Sequence, residues 1–167
     1  MSQYPSRLST NNVSLRDAQE GDLPIFFEQQ LDPDANYMAA FTAKDPTDRD
    51  AFMKHWTKVL SDETNILKTI LFNGQVVGNF MCYQDEELGQ PEIGYWIGKP
   101  YWGKGIATEA VLQFLDYYKA RPVYARVAKD NLASQRVLQK CGFKIYGENK
   151  GFANARGKET EEFIMIH

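Results

Sequence analysis

Two glycines flank a lysine in Tyr101-Trp102-Gly103-Lys104-Gly105-Ile106-Ala107, between an aromatic-rich run and an amphipathic one. Residues of these types at this spacing suit the binding of an anion. A helix that starts beside such a turn carries N–H groups without intrahelical partners, and its dipole makes that end electropositive. Glycine at 103 and 105 permits positive φ and keeps Cβ atoms away from those amides, so a diphosphate can approach, with Lys104 as a cation at the rim. An ordinary strand-to-helix turn has the same spelling, so a second constellation must decide. One lies downstream: Asn131-Leu132-Ala133-Ser134, then Val137-Leu138 and Lys140-Cys141-Gly142-Phe143. Asn131 and Ser134 are three apart and share a helix face, although Asn131 as a plain N-cap with Ser134 in the first turn is an equally good local reading.

The elements that must hold these residues are legible in outline. Glu92 to Ile97 is rich in aromatic and β-branched residues and closes on Gly98-Lys99-Pro100, which predicts a strand. Ile106, Ala110, Val111, Phe114, Leu115 and Tyr118 recur at steps of three and four, which predicts a helix from about Gly105. Arg121-Pro122 stops it, and Val123 to Val127 reads as the next strand. Asn131 to Lys140 is a short helix ended by Gly142. Phe143 to Glu148 and Glu162 to Ile166 read as the last strands, joined by a flexible Gly-containing segment from Gly151 to Thr160.

Earlier in the chain, Val13 to Asp17 fits a strand, and Asp22-Leu23-Pro24 opens a helix, since proline suits a first helical turn. Asp32 to Asp50 reads as loop and short helix, followed by a helix from Asp48 or Asp50 through Phe52, Trp56, Val59 and Leu60. Ile66 to Phe72, Asn73-Gly74 and Gln75 to Tyr83 form the strongest hairpin signal, because Asn-Gly supplies the positive φ values of a two-residue turn. Asp85 to Pro91 then loops into the Glu92 strand. The order is α+β: antiparallel hairpins, then strand-helix-strand-helix-strand with one parallel crossover.

Composition narrows the function. A chain of 167 residues, 43% hydrophobic and 13% aromatic, suffices for one domain core, here residues 13–167 behind an N-terminal arm of residues 1–12. A net charge of −3 argues against nucleic acid as a partner. No run approaches the ~18 apolar residues of a membrane helix, so no membrane partner and a cytoplasmic location are expected. Cys82 and Cys141 lack metal-ligand spacing, and His55 and His167 stand outside any motif, so neither a metal site nor a Ser-His-Asp hydrolase is expected. A homodimer is a fair expectation.

Taken together and in this order, Tyr-Trp-Gly-Lys-Gly-Ile-Ala-Thr-Glu-Ala, Asn-x-x-Ser and Cys-Gly-Phe resemble the GNAT superfamily of acetyl-CoA dependent N-acetyltransferases, in particular the RimJ and RimL type that acts on ribosomal-protein amino termini. The resemblance spans about residues 10 to 167. It implies a mixed, mostly antiparallel twisted sheet of about six or seven strands, flanked by about four helices, whose central strands splay for acetyl-CoA. It implies transfer of acetyl from acetyl-CoA to a primary amine acceptor, a protein N-terminus or a small molecule, in a ternary complex. The diphosphate would rest on Trp102, Gly103, Lys104, Gly105, Ile106 and Ala107, and backbone groups near Trp96, Ile97 and Gly98 would pair with the pantetheine amides. Asn131 would contact the pantetheine arm, Ser134 would hydrogen-bond the thioester sulfur, and Arg136 would approach the ribose phosphate. Glu92, at the start of the motif strand, would be the base.

Three departures stand out. Pro100 and Trp102 occupy positions that are Gln/Arg and often Arg in the family, and Leu138 stands where many relatives carry a tyrosine acid. The last strengthens the role of Ser134 and leaves Tyr95 or Tyr83 as phenols that approach from the sheet. A non-catalytic CoA-binding module of the same fold, or an enzyme using another acyl-CoA, are the alternatives.

Overall fold

The computed structural model describes residues 12–167, so the expected arm lies, apart from Asn12, outside the described residues. Seven strands form one sheet: β1 (Val13–Asp17), β2 (Ile66–Phe72), β3 (Gln75–Asp85), β4 (Gln90–Ile97), β5 (Tyr124–Ala128), β6 (Lys144–Ala153) and β7 (Lys158–Ile166). Their spatial order is β1-β2-β3-β4-β5-β7-β6, antiparallel throughout except for the β4–β5 pair. Among the described residues five α-helices accompany them: α1 (Leu23–Gln29), α2 (Pro33–Ala39), α3 (Arg49–Ser61), α4 (Ile106–Tyr117) and α5 (Leu132–Lys140).

Local chemistry sets the boundaries. Asn73 and Gly74, both at positive φ, turn β2 into β3. Asp32 and Asp48 cap α2 and α3 by accepting from the backbone N–H of Ala35 and Ala51. One core packs the apolar stripe of α4 (Ile106, Ala110, Val111, Phe114) and Leu138 of α5 against Val77, Phe80, Ile93 and Ile97 of the sheet. Phe80 and Phe114 meet at 4.7 Å between ring centroids. A separate aromatic set, Phe26 and Phe27 of α1 with Phe52 and Trp56 of α3, ties those two helices together.

The expected flexible joint from Gly151 to Thr160 is corrected. β6 runs on to Ala153 and β7 begins at Lys158, so the joint is a tight hairpin turn. An edge strand wetted on both faces needs no alternation of apolar residues, and most of β6 is exposed. This removed the signal on which strand detection depends.

Candidate active site

Pairing between β4 and β5 is confined to Glu92↔Tyr124 and Ile93↔Ala125. Beyond that point β4 stays with β3 as far as Gly78↔Ile97, while β5 stays with β7 as far as Ala128↔Glu162. Each strand is held by its outer neighbour, and a wedge opens between Gly94–Ile97 on one lip and Arg126–Ala128 on the other. The Gly98 N–H donates to Val77 on β3, so by the alternation of an antiparallel ladder the backbone groups of Tyr95 and Ile97 face the wedge.

Of the three residues expected to pair with a pantetheine arm, Ile97 therefore lies on the open edge, and Trp96 turns its backbone toward β3. Both backbone groups of Gly98 are engaged: its carbonyl accepts from Tyr101. The Trp102 indole N–H donates to the Ile97 carbonyl at 2.8 Å, pinning the anion-binding turn to the lip of the wedge.

Gly103 and Gly105 have φ of 75° and 77°, and Gly105 is the N-cap of α4. A Cβ at either position would meet nothing within 4 Å, so positive φ, not crowding, calls for glycine there. Trp102 through Gly105 are exposed, Ile106 is buried beneath them, and among the described residues no side chain caps the start of α4. Such free amides beside open space fit a diphosphate.

On the opposite lip, Asn131 caps α5 by accepting from the Ser134 N–H at 3.2 Å, so its local reading holds. Its amide reaches across to the Met38 carbonyl in α2 at 3.4 Å. Arg136 is exposed on the same helix. The Ser134 hydroxyl meets the Tyr95 phenol at 2.7 Å, a bridge between α5 and β4. Tyr95 shares a sheet face with Ile93 and Ile97, which join the α4 core, whereas Glu92 and Trp96 alternate to the other face.

On that face Glu92 is 4% exposed. Its Oε2 accepts from the Tyr83 hydroxyl at 2.6 Å and its Oε1 from Arg126 Nε at 3.1 Å. Burial pushes its carboxyl above the usual range, while Tyr83 and Arg126 pull it back. Burial and then the neighbouring carboxylate push the Tyr83 phenol up. Arg126 also reaches Glu162 at 3.1 Å, Glu87 at 3.2 Å and Asp85 at 3.5 Å. Burial opposes its charge, but the hydrogen bonds it donates to Glu162, Glu87 and Glu92 hold it raised. Four carboxylates thus surround one guanidinium beside the wedge. The indole N–H of Trp96 and the hydroxyl of Thr42 are buried with no hydrogen-bond partner among the described residues.

Arg126 and its neighbours Asp85, Glu87 and Glu162, unlike Glu92, were not picked out as site residues in the sequence. Strand alternation places Arg126 on the face of Glu92, two residues beyond its partner Tyr124, only once the parallel β4–β5 register is known.

Residues 12–144 match the family described as Acetyltransferase (GNAT) domain. The chain belongs to this GNAT family. Among curated GNAT relatives, it is 32% identical over 85 residues to the uncharacterized N-acetyltransferase p20 of Bacillus licheniformis, which covers 48% of each chain. It is 29% identical over 117 residues to the putative ribosomal N-acetyltransferase YdaF of Bacillus subtilis, covering 65% of this chain and 64% of that one. The match thus spans about half of the first and just under two thirds of the second.

Solved structures share the GNAT fold. Spermidine N-acetyltransferase from Vibrio cholerae, in complex with CoA and spermine, superposes with a TM-score of 0.79 at 18% identity, covering 93% of this chain and 95% of that one. Mycobacterium smegmatis RimJ, in complex with CoA-disulfide, gives 0.74 at 22% identity, covering 93% and 81%. The wedge between β4 and β5 parts central strands of the sheet, as the resemblance implied.

Proposed function

We propose that this chain, residues 13–167 acting as one acetyltransferase domain, moves an acetyl group from acetyl-CoA directly to a primary amine. The observation that carries the reading is the parting of β4 from β5 after Ile93, beside a helix whose uncapped amides begin at the Gly103–Gly105 turn. The diphosphate binds at Trp102 to Ala107, Arg136 approaches the ribose phosphate, and the pantetheine arm lies along the Tyr95–Ile97 edge. That proteins of the same fold from Vibrio cholerae and Mycobacterium smegmatis were solved with CoA or CoA-disulfide supports a CoA carrier.

The two faces of the sheet divide the chemistry. Ser134 approaches the sulfur from the α5 side, and Glu92 approaches the amine from the other. The amine nitrogen bonds the thioester carbon and loses a proton to Glu92, directly or through water. A donor fixed on the wedge edge, the Ile97 N–H, steadies the oxygen as its charge grows. The C–S bond then breaks toward Ser134. A carboxylate raised by burial is a better proton acceptor near neutral pH than a solvated one.

Four carboxylates against one arginine favour a cationic acceptor, which suits a protein amino terminus or a polyamine, and the Vibrio cholerae neighbour was solved with spermine. Two buried free cysteines accord with a reducing cytoplasm. The test is a mass-spectrometric screen of polyamines, amino acids and peptides beginning with serine or alanine, using labelled acetyl-CoA. Labelled N-acetyl product is expected from at least one cationic amine. Stoichiometric CoA binding without product across the panel would favour the non-catalytic module.

A further inference from the structure

The contact between Tyr95 and Ser134 joins elements 39 residues apart and crosses the wedge at its narrow end. Asn131 fixes the serine backbone through its N–H, and the phenol fixes its hydroxyl. Either oxygen can donate in this contact; the phenol is the much stronger acid, and with Tyr95 as donor Ser134 Oγ accepts and the serine hydrogen is left to point elsewhere. Burial, against the pull of Ser134, pushes the phenol up to about 12, so it stays protonated and available as a donor. At Leu138, 1% exposed in the core, no polar group can take this part.

We propose that Tyr95 is a positioning residue that orients the Ser134 hydroxyl so that its hydrogen bonds the departing sulfur of coenzyme A and stabilises the thiolate. The inference rests on the acetyl-transfer reading above. In the step, the N–C bond forms and the C–S bond breaks with its electron pair on sulfur. The amine proton passes to Glu92, and the thiolate takes a proton from solvent after release. Neither Ser134 nor Tyr95 changes protonation state.

The thiol of bound CoA reads this arrangement without any acceptor. Its titration is followed by thiolate ultraviolet absorbance in complexes with the wild-type protein and with Tyr95→Phe, Ser134→Ala and the double variant. The wild-type complex is expected to hold the thiol more acidic than in free CoA. Tyr95→Phe should reduce the thiolate fraction at a given pH by about tenfold, the scale of one hydrogen bond to a charged group. CoA affinity at neutral pH should be retained in that variant, and the double variant should titrate like Ser134→Ala alone.

A Tyr95→Phe complex that titrates like wild type, or a Tyr95 effect that adds in full to that of Ser134, overturns the inference while leaving acetyl transfer intact. Failure of the wild-type protein to bind CoA overturns the acetyl-CoA reading and this inference with it. If Tyr95→Phe loses CoA binding, the phenol supports the fold and the positioning role is likewise overturned.

Discussion

Glu92 is buried, carries a raised pKa and has both oxygens engaged, Oε2 by Tyr83 and Oε1 by Arg126. Each carboxylate oxygen has a further lone pair, so these partners aim the group and leave room for a proton from the acceptor side. Replacing Glu92 by Gln keeps the shape and removes the base. We expect kcat to fall by roughly 100-fold or more with CoA affinity held, as measured by steady-state rates beside calorimetric titration. Because the folded pKa lies above the ordinary carboxylate value, the wild-type rate should fall as pH drops through a window above that of a solvated glutamate. The Gln variant should lack this acid limb. In the sequence Glu92 was visible as a strand-end carboxylate, but its partner Arg126 lies 34 residues away and became apparent only through the fold. The same holds for Tyr95 and Ser134, whose partnership depends on the fold bringing α5, beside β5, within reach of β4.

At the scale of elements, the wedge needs a rigid outer sheet, and Asp22 secures its far side. The carboxylate, on a side chain 7% exposed, accepts from both Arg16 nitrogens at 2.7 and 2.8 Å, from the Thr69 hydroxyl at 2.7 Å and from the Gln19 N–H at 2.9 Å. It thereby links β1, β2 and the entry to α1. The Arg16 hydrogen bond, against burial, holds it at about 2, compared with an ordinary 3.8. A depressed folded pKa gives stability that is complete above the unfolded value and is lost as pH falls from about 4 toward 2. The contribution is about 2 kcal/mol. Asp22→Asn should lower the free energy of unfolding by about that amount at neutral pH and flatten its fall between pH 4 and 2, measured by denaturant melts. Elements whose signals are local were legible: Asn73-Gly74 named its hairpin, and the glycines at 103 and 105 named the start of α4. β6 was read too short, because its stability comes from pairing with β7 and not from a buried face.

For the whole molecule, the segment from α2 to Thr42 is tied to elements on both sides of the wedge. The Lys99 ammonium pairs with Asp34 on the β4 side. On the β5 side, Arg156 donates to the Tyr37 carbonyl at 2.6 Å while paired with Asp130, and Asn154 donates to the Thr42 carbonyl at 2.7 Å. The contacts to Tyr37 and Thr42 span 119 and 112 residues of sequence and the Lys99 pair spans 65, so none was visible in it. The resemblance to GNAT enzymes foresaw the splay, and the parting of β4 from β5 after Ile93 bears it out. The most direct test of the account is hydrogen exchange by mass spectrometry with and without saturating CoA. Protection is expected in peptides covering Tyr95–Ala107 and Asn131–Ser134, the two lips of the wedge. Unchanged exchange in both segments, or protection confined to another face of the sheet, would contradict the placement of the carrier between β4 and β5.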